Sequence, residues 1–169
     1  MAVLPDLLDE AVVTVFCGSA VGAASARLGF PYAGPGNKFW PMLHETGLTP
    51  RLFAPQDYRD LLGLGIGLTD VNKTQSGADS DLTPDGDDVA AVMAKIETYK
   101  PKLLAFTAKR PAQVFLKTAF GRGKIDYGLQ PDRAGSTAIF VLPSSSGLAI
   151  RWWEPKWWHE AAELHRKFS

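Results

Sequence analysis

The chain alternates short apolar runs with segments whose apolar positions recur at intervals of three and four residues. "AVVTVFC" (11–17), "GIGLTD" (65–70), "KLLAFT" (102–107) and "STAIFVLP" (136–143) have strand length. Each is apolar at consecutive positions, the pattern of a strand covered on both faces. Between them lie helical patterns. In "DDVAAVMAKIETYKP" (87–101), Val89, Val92, Met93 and Ile96 share one face, acids stand at the start and Pro101 follows the end. "RPAQVFLKTAFG" (110–121) has proline near its first helical position, "APQDYRDLLGLG" (54–65) closes on glycine, and "KWWHEAAELHRKF" (156–168) is the last helix. "GSAVGAAS" (18–25) reads as a glycine-containing turn after the first strand. "GFPYAGPGNKFWPML" (29–43) is a stiff loop of prolines, glycines and aromatics, leading into a helix over "KFWPMLHETG" that Asn37 caps and whose first turn holds Pro41. "VNKTQSGADSDLTPDG" (71–86) is a long polar loop, a kind usually functional or mobile.

Short strands alternating with helices predict an α/β fold whose parallel sheet is covered on both sides, with one domain over residues 1–169. Ligands in such folds collect at the carboxyl ends of the strands. That rule selects "GSAVG", "TDVNK", "TAKR" and "PSSSG", all small, polar or glycine-rich, which converge on one rim.

Composition narrows the chemistry. Formal net charge is zero, so a nucleic-acid partner must meet a local basic patch rather than a global field. The single cysteine, Cys17, sits in an apolar run and reads as a buried strand thiol. The N-terminal stretch reads as neither signal peptide nor membrane span, so the expectation is a cytoplasmic protein (nucleoid-associated in a bacterium), monomeric, with no membrane contact. "GSAVGAAS" lacks the spacing of a dinucleotide loop, and there is no Walker A lysine or G-x-S-x-G elbow. His44, His159 and His165 lack close Cys or His partners, so no metal site and no cofactor are expected. Trp153, Trp157 and Trp158 read as packing before they read as a base platform. Asp79, Asp81, Asp85, Asp87 and Asp88 read as solvated loop and helix-start acids. Asp70 directly follows an apolar strand; as a residue it is equally a turn-former and a carboxylate held rigidly at the rim.

"VFCGSAVG", "GFPYAGPGNKFW", "GIGLTD" and "VLPSSSG", in this order and spacing, resemble the uracil-DNA glycosylase superfamily, and specifically its mismatch-specific uracil/thymine branch, over residues 12–160. The resemblance implies a three-layer α/β/α sandwich around a short, mainly parallel sheet. It implies a monofunctional DNA repair glycosylase, which hydrolyses the N-glycosidic bond of a deaminated base flipped from DNA, such as uracil in a G:U mismatch. The partner it implies is damaged, double-stranded DNA. Tyr32 takes the position of the aromatic plane on which the extruded base lies, and stacking there restores part of what the base loses on leaving the duplex. Gly22 stands where strict uracil enzymes carry a bulky aromatic, which implies tolerance of larger bases.

Two departures qualify the match. Ala20 stands where the family has a water-positioning Asn or Asp, which makes Asp70 the candidate catalytic carboxylate and Asn72 the fallback. Ile150 stands where the branch has an arginine, with Arg151 next along. By the same resemblance Ser144 approaches the base edge, Ser145 and Ser146 grip flanking phosphates, and Gly147, Leu148 and Ala149 form the wedge. Backbone N–H groups near Ser19, Ala20 and Phe30 would stabilise the departing base. Lys38, Lys73, Lys109, Arg110 and Arg151 are the expected phosphate contacts. A preference for hypoxanthine or xanthine, or a lesion-binding module that does not cut, are the competing expectations.

Overall fold

The computed structural model describes residues 2–151 and 153–169. Five strands form one sheet: β1 (Thr14–Gly18), β2 (Ile66–Asp70), β3 (Leu103–Phe106), β4 (Gly128–Ala134) and β5 (Thr137–Val141), in the order β2-β1-β3-β5-β4. β1, β2, β3 and β5 are parallel, and β4 pairs antiparallel with β5 at the outer edge. Among the described residues five α-helices accompany them: α1 (Ala23–Leu28), α2 (Phe39–Glu45), α3 (Val89–Tyr99), α4 (Lys109–Phe120) and α5 (Pro155–Phe168).

Alternation along the strands sorts the core into two halves. Phe16, Leu68, Leu103, Ala105 and Phe140 face α2, α5 and the segment Pro55–Leu64, meeting Phe39, Leu43, Leu61 and Trp158. Val15, Cys17, Leu104, Phe106 and Ile139 face α3 and α4, meeting Val92, Ile96, Phe115 and Leu116. The expected three layers are therefore present. Cys17 is fully buried, and burial pushes its thiol well above the ordinary cysteine range, so it is packing rather than nucleophile. Trp158 is likewise core: it donates to the Pro143 carbonyl at 3.2 Å and packs on Phe16 and Phe39.

Three elements differ from the sequence pattern. Residues 55–64 form a 3₁₀ helix instead of an α-helix, and its buried residues Tyr58 and Leu61 are three apart, the repeat of that tighter coil. "AASARL" is the short helix α1, not turn. β4 lacks the apolar signature of its neighbours because only one face is covered, and Pro131 is tolerated there at an edge.

Candidate functional site

The carboxyl ends of β1, β2 and β3 meet at a cavity of about 750 Å3, the size of a cleft that takes a drug-sized ligand. The segment 18–25, which runs from the β1 tip into α1, the aromatic loop, Asp70, Lys73, Thr107 and the loop 144–149 all line it. The rim convergence expected from the strand pattern is thus met.

Gly18 ends β1 directly opposite Asp70 in the parallel register. A Cβ at Gly18 would stand 2.7 Å from Asp70 Oδ1 and 3.5 Å from both Thr107 Oγ1 and the Tyr32 hydroxyl. Only glycine lets these three groups close around the strand tip. The Asp70 side chain keeps 15% exposure and pairs with Lys73 Nζ at 3.3 Å. Burial pushes its carboxyl above the ordinary aspartate value, and the Lys73 ammonium offsets this only in part. Lys73 also pairs with Asp6 at 3.0 Å. Burial alone would lower the Lys73 ammonium, yet the two carboxylates together hold it above its ordinary value.

Tyr32 is pinned as a plane. Its ring stacks on Phe39 with centroids 3.9 Å apart and 12° between the planes, while its hydroxyl lies 3.2 Å from Thr107 Oγ1. One face is covered, which leaves the other to the cavity. Its φ of 52° is a left-handed conformation that non-glycine residues seldom hold. Surrounding bonds impose it: Ala33 N–H donates to Ser25 Oγ, Trp40 Nε1 to the Pro31 carbonyl, and Asn37 N–H to the Gly34 carbonyl. Burial, and next the Asp70 charge, hold the Tyr32 phenol far above its usual value, so it stays neutral.

Ser19 lines the cavity at 9% exposure, and its buried Oγ has no hydrogen-bond partner among the described residues. Ala20 is half-buried in the same wall, and the space beside Gly22, where a Cβ would stand, is empty to 4 Å. Asn37, read from the sequence only as a cap, also lines the cavity. Its Oδ1 accepts the Phe39 N–H at 2.9 Å, so the cap fixes the amide's orientation.

The loop 144–149 closes the other side. Gly147 lies against the aromatic loop so tightly that a Cβ would meet the Pro35 carbonyl oxygen at 2.6 Å. Lys38 N–H donates to the Ser145 carbonyl at 2.7 Å. Ser144 Oγ accepts from Ser146 N–H, and Ser146 Oγ from Leu148 N–H. Ser144, Ser146 and Ala149 are half-exposed lining residues, whereas Leu148 is 91% exposed and projects outward.

Several expected site residues are placed elsewhere. Asn72 is buried off the cavity, its amide exchanging two hydrogen bonds with Gln75, so it pins the loop 71–86 and is not the fallback catalyst. Phe30, whose backbone N–H was expected at the base, is not among the lining residues, and its ring packs on Tyr58. Ser145 is buried in the wall, not displayed to phosphates. Lys73 is neutralised by Asp70 and Asp6 and is not a free phosphate contact. Arg110 is tied by one guanidinium nitrogen to both oxygens of Asp87. Lys38 lies over the Trp153 ring and Lys109 over the Tyr127 ring, both outside the cavity lining. Arg151 is exposed just beyond the loop. Among the described residues no three His, Cys, Asp or Glu side chains gather as a metal site, and no helix is long and apolar enough to cross a membrane.

The fold and the cavity define an α/β protein with an open cleft at the carboxyl rim of a parallel sheet, between an aromatic plane and a largely buried carboxylate. The family profile of the uracil DNA glycosylase superfamily matches residues 5–164, and the chain belongs to that superfamily. It is similar to the solution NMR structure of a candidate uracil DNA glycosylase from Methanosarcina acetivorans, with 22% identity, a TM-score of 0.66 and 96% of each chain covered.

Proposed function

We propose that the protein is a monofunctional DNA glycosylase which removes a deaminated base, uracil opposite guanine in the first instance, from duplex DNA and leaves an abasic site. Membership of the superfamily supports the class of reaction. The observation that carries the catalytic assignment is the Asp70 carboxylate, held at the strand tips beside the Tyr32 plane. The mismatch-specific uracil/thymine branch is the subgroup its motifs resemble, with Ala20 and Ile150 as the departures.

In this reading Leu148, flanked by Gly147 and Ala149, fills the vacated stack while the extruded base lies on the open face of Tyr32. Ser144, the Asn37 amide nitrogen and backbone N–H groups of the 18–22 turn meet the base edge. The C1′–N bond breaks with its electron pair going to the base, and the sugar takes on oxocarbenium character. Asp70 offsets that charge, orients a water onto C1′ and accepts its proton; the orphaned Ser19 hydroxyl is a second anchor for that water. Lys73, held charged between two carboxylates, is a poor amine nucleophile, which supports hydrolysis without strand cleavage. Phosphates are assigned to Ser146, Arg151, Lys38 and Lys109.

A second reading has a specific observation behind it. The empty space beside Gly22 favours a larger base such as hypoxanthine or xanthine. Duplexes carrying uracil opposite guanine, hypoxanthine or xanthine, incubated with the protein and then cleaved with alkali, test both. Strand breaks only after alkali, and no borohydride-trapped adduct, are expected. No product from any duplex, with lesion binding retained, would make the protein a lesion-binding module and remove the catalytic role of Asp70.

A further inference from the structure

From Asp70 and Lys73 at the cavity a row of alternating charges runs on to Asp6 and Lys95, which no step above uses. The N-terminal segment runs along the outer edge of β2: Leu7 and Leu68 exchange backbone hydrogen bonds at 2.9 and 2.8 Å, and Val3 N–H donates to the Lys73 carbonyl. This lays Asp6 beside the β2 tip. Asp6 Oδ1 lies 3.0 Å from Lys73 Nζ and accepts from Thr69 Oγ1 at 2.8 Å, while Oδ2 lies 2.7 Å from Lys95 Nζ on α3. Lys95 Nζ also donates to Thr69 Oγ1 at 3.0 Å. The row reads Asp70, Lys73, Asp6, Lys95, with side-chain exposures of only 15% to 23%.

We infer that Asp6 is a positioning residue of the reaction centre, sharing Lys73 with Asp70 and so setting how strongly that ammonium holds the carboxylate that orients the water. The inference rests on the proposed role of Asp70. Lys73 is the only cation within salt-bridge reach of Asp70 among the described residues, and Asp6 holds it at a shorter distance than Asp70 does. A lysine divided in this way stabilises the Asp70 anion less than an undivided one. The carboxylate thereby remains basic enough to accept a proton while staying anchored. Lys95, then Lys73 and last Thr69, hold Asp6 in its own ionised form against the burial that would raise it. The other groups around Asp70 are neutral: the Tyr32 hydroxyl, Thr107 and the buried Cys17 thiol. Asp79 and Asp81 stand exposed at the far rim.

The test is a carboxyl carbon NMR titration of the full chain, with the Asp70 signal identified by its loss in Asp70→Asn. Asp6→Asn removes a negative neighbour and releases Lys73 to Asp70, so the Asp70 midpoint should fall by roughly one pH unit. Lys95→Met removes the cation that balances Asp6, so the midpoint should rise. Charge changes of opposite sign should thus move it in opposite directions, which damage to the fold would not do. Should Asp6→Asn not fold, Lys95→Met decides alone. Midpoints that stay put, or move together, would overturn the inference. The acid limb of single-turnover excision from a duplex with uracil opposite guanine should follow the same shifts. Full excision by Asp70→Asn would instead defeat the catalytic reading, while the NMR midpoints still report on Asp6.

Discussion

The two ends of β1 hold polar groups of opposite character. At the amino end Thr14 Oγ1 lies 2.7 Å from His165 Nδ1, and His165 Nε2 lies 3.1 Å from the Leu64 carbonyl oxygen. With Leu64 accepting, Nε2 carries the proton and Nδ1 accepts from Thr14; the ring is neutral and both nitrogens are satisfied. At the carboxyl end, among the described residues, Ser19 Oγ has no partner and Asp70 shares its single cation, while Tyr32 holds a left-handed backbone. Buried polar groups that satisfy one another contribute to folding, whereas those left short of partners are poised for a ligand. One strand therefore anchors the fold at one end and the chemistry at the other.

The largest expected effect is at the carboxyl end. Asp70→Asn should lower single-turnover excision by about a hundredfold or more, the scale of losing a positioned catalytic group. The folded state raises the Asp70 carboxyl, so its ionisation destabilises the fold as pH rises through that value. Asp70→Asn should accordingly melt no lower than the parent at neutral pH, as calorimetry would show. A dead variant that also melted much lower would erase the contrast between the two ends. Next in size is Gly18→Ala, whose new Cβ would press on Asp70 Oδ1 from 2.7 Å. Displacing a reacting group by a fraction of an ångström should cost about tenfold to a hundredfold in rate. Tyr32→Ala should weaken binding to a lesion-bearing duplex by about 1–3 kcal/mol, measured by titration, because stacking on the open face is lost. Unchanged affinity would place the base elsewhere.

Much of this geometry was legible in the chain and some was not, for a physical reason. Asp70 stood out because an apolar strand stops on it, and the rim follows from a parallel sheet whose strands end in small polar residues. Tyr32 was legible through the family resemblance of "GFPYAGPGNKFW", a loop whose prolines also make it stiff. What escaped depends on partners far along the chain. Nothing near Lys73 in sequence announces Asp6, and Arg110 looks like a phosphate ligand until Asp87 is beside it. Asn37 declared its cap but not the cavity it borders. β4 hid for another reason: an edge strand covered on one face alternates, and Pro131 breaks the pattern that the buried strands keep.

The smallest effect belongs to the amino end and separates stability from chemistry most cleanly. Burial lowers the His165 imidazole below its ordinary value, with the Leu64 hydrogen bond only partly opposing it. The unfolded chain therefore takes up a proton first as pH falls below about 6.5, the ordinary histidine value. His165 contributes its stability above that pH and loses it as pH drops through the depressed folded value. Asp70 carries the opposite sign, since protonation favours its buried form. The difference between parent and His165→Gln melting curves, taken from pH 7.5 to 5, isolates the histidine. The parent should lose stability faster than the variant as pH falls, and at neutral pH the variant should be less stable by about 1–3 kcal/mol, the cost of leaving Thr14 or Leu64 poorly paired. Excision per folded molecule at neutral pH should not change, because His165 lies at the amino end of β1, away from Asp70 and the Tyr32 plane. A fall in that rate would mean that the two ends of β1 are coupled through the strand.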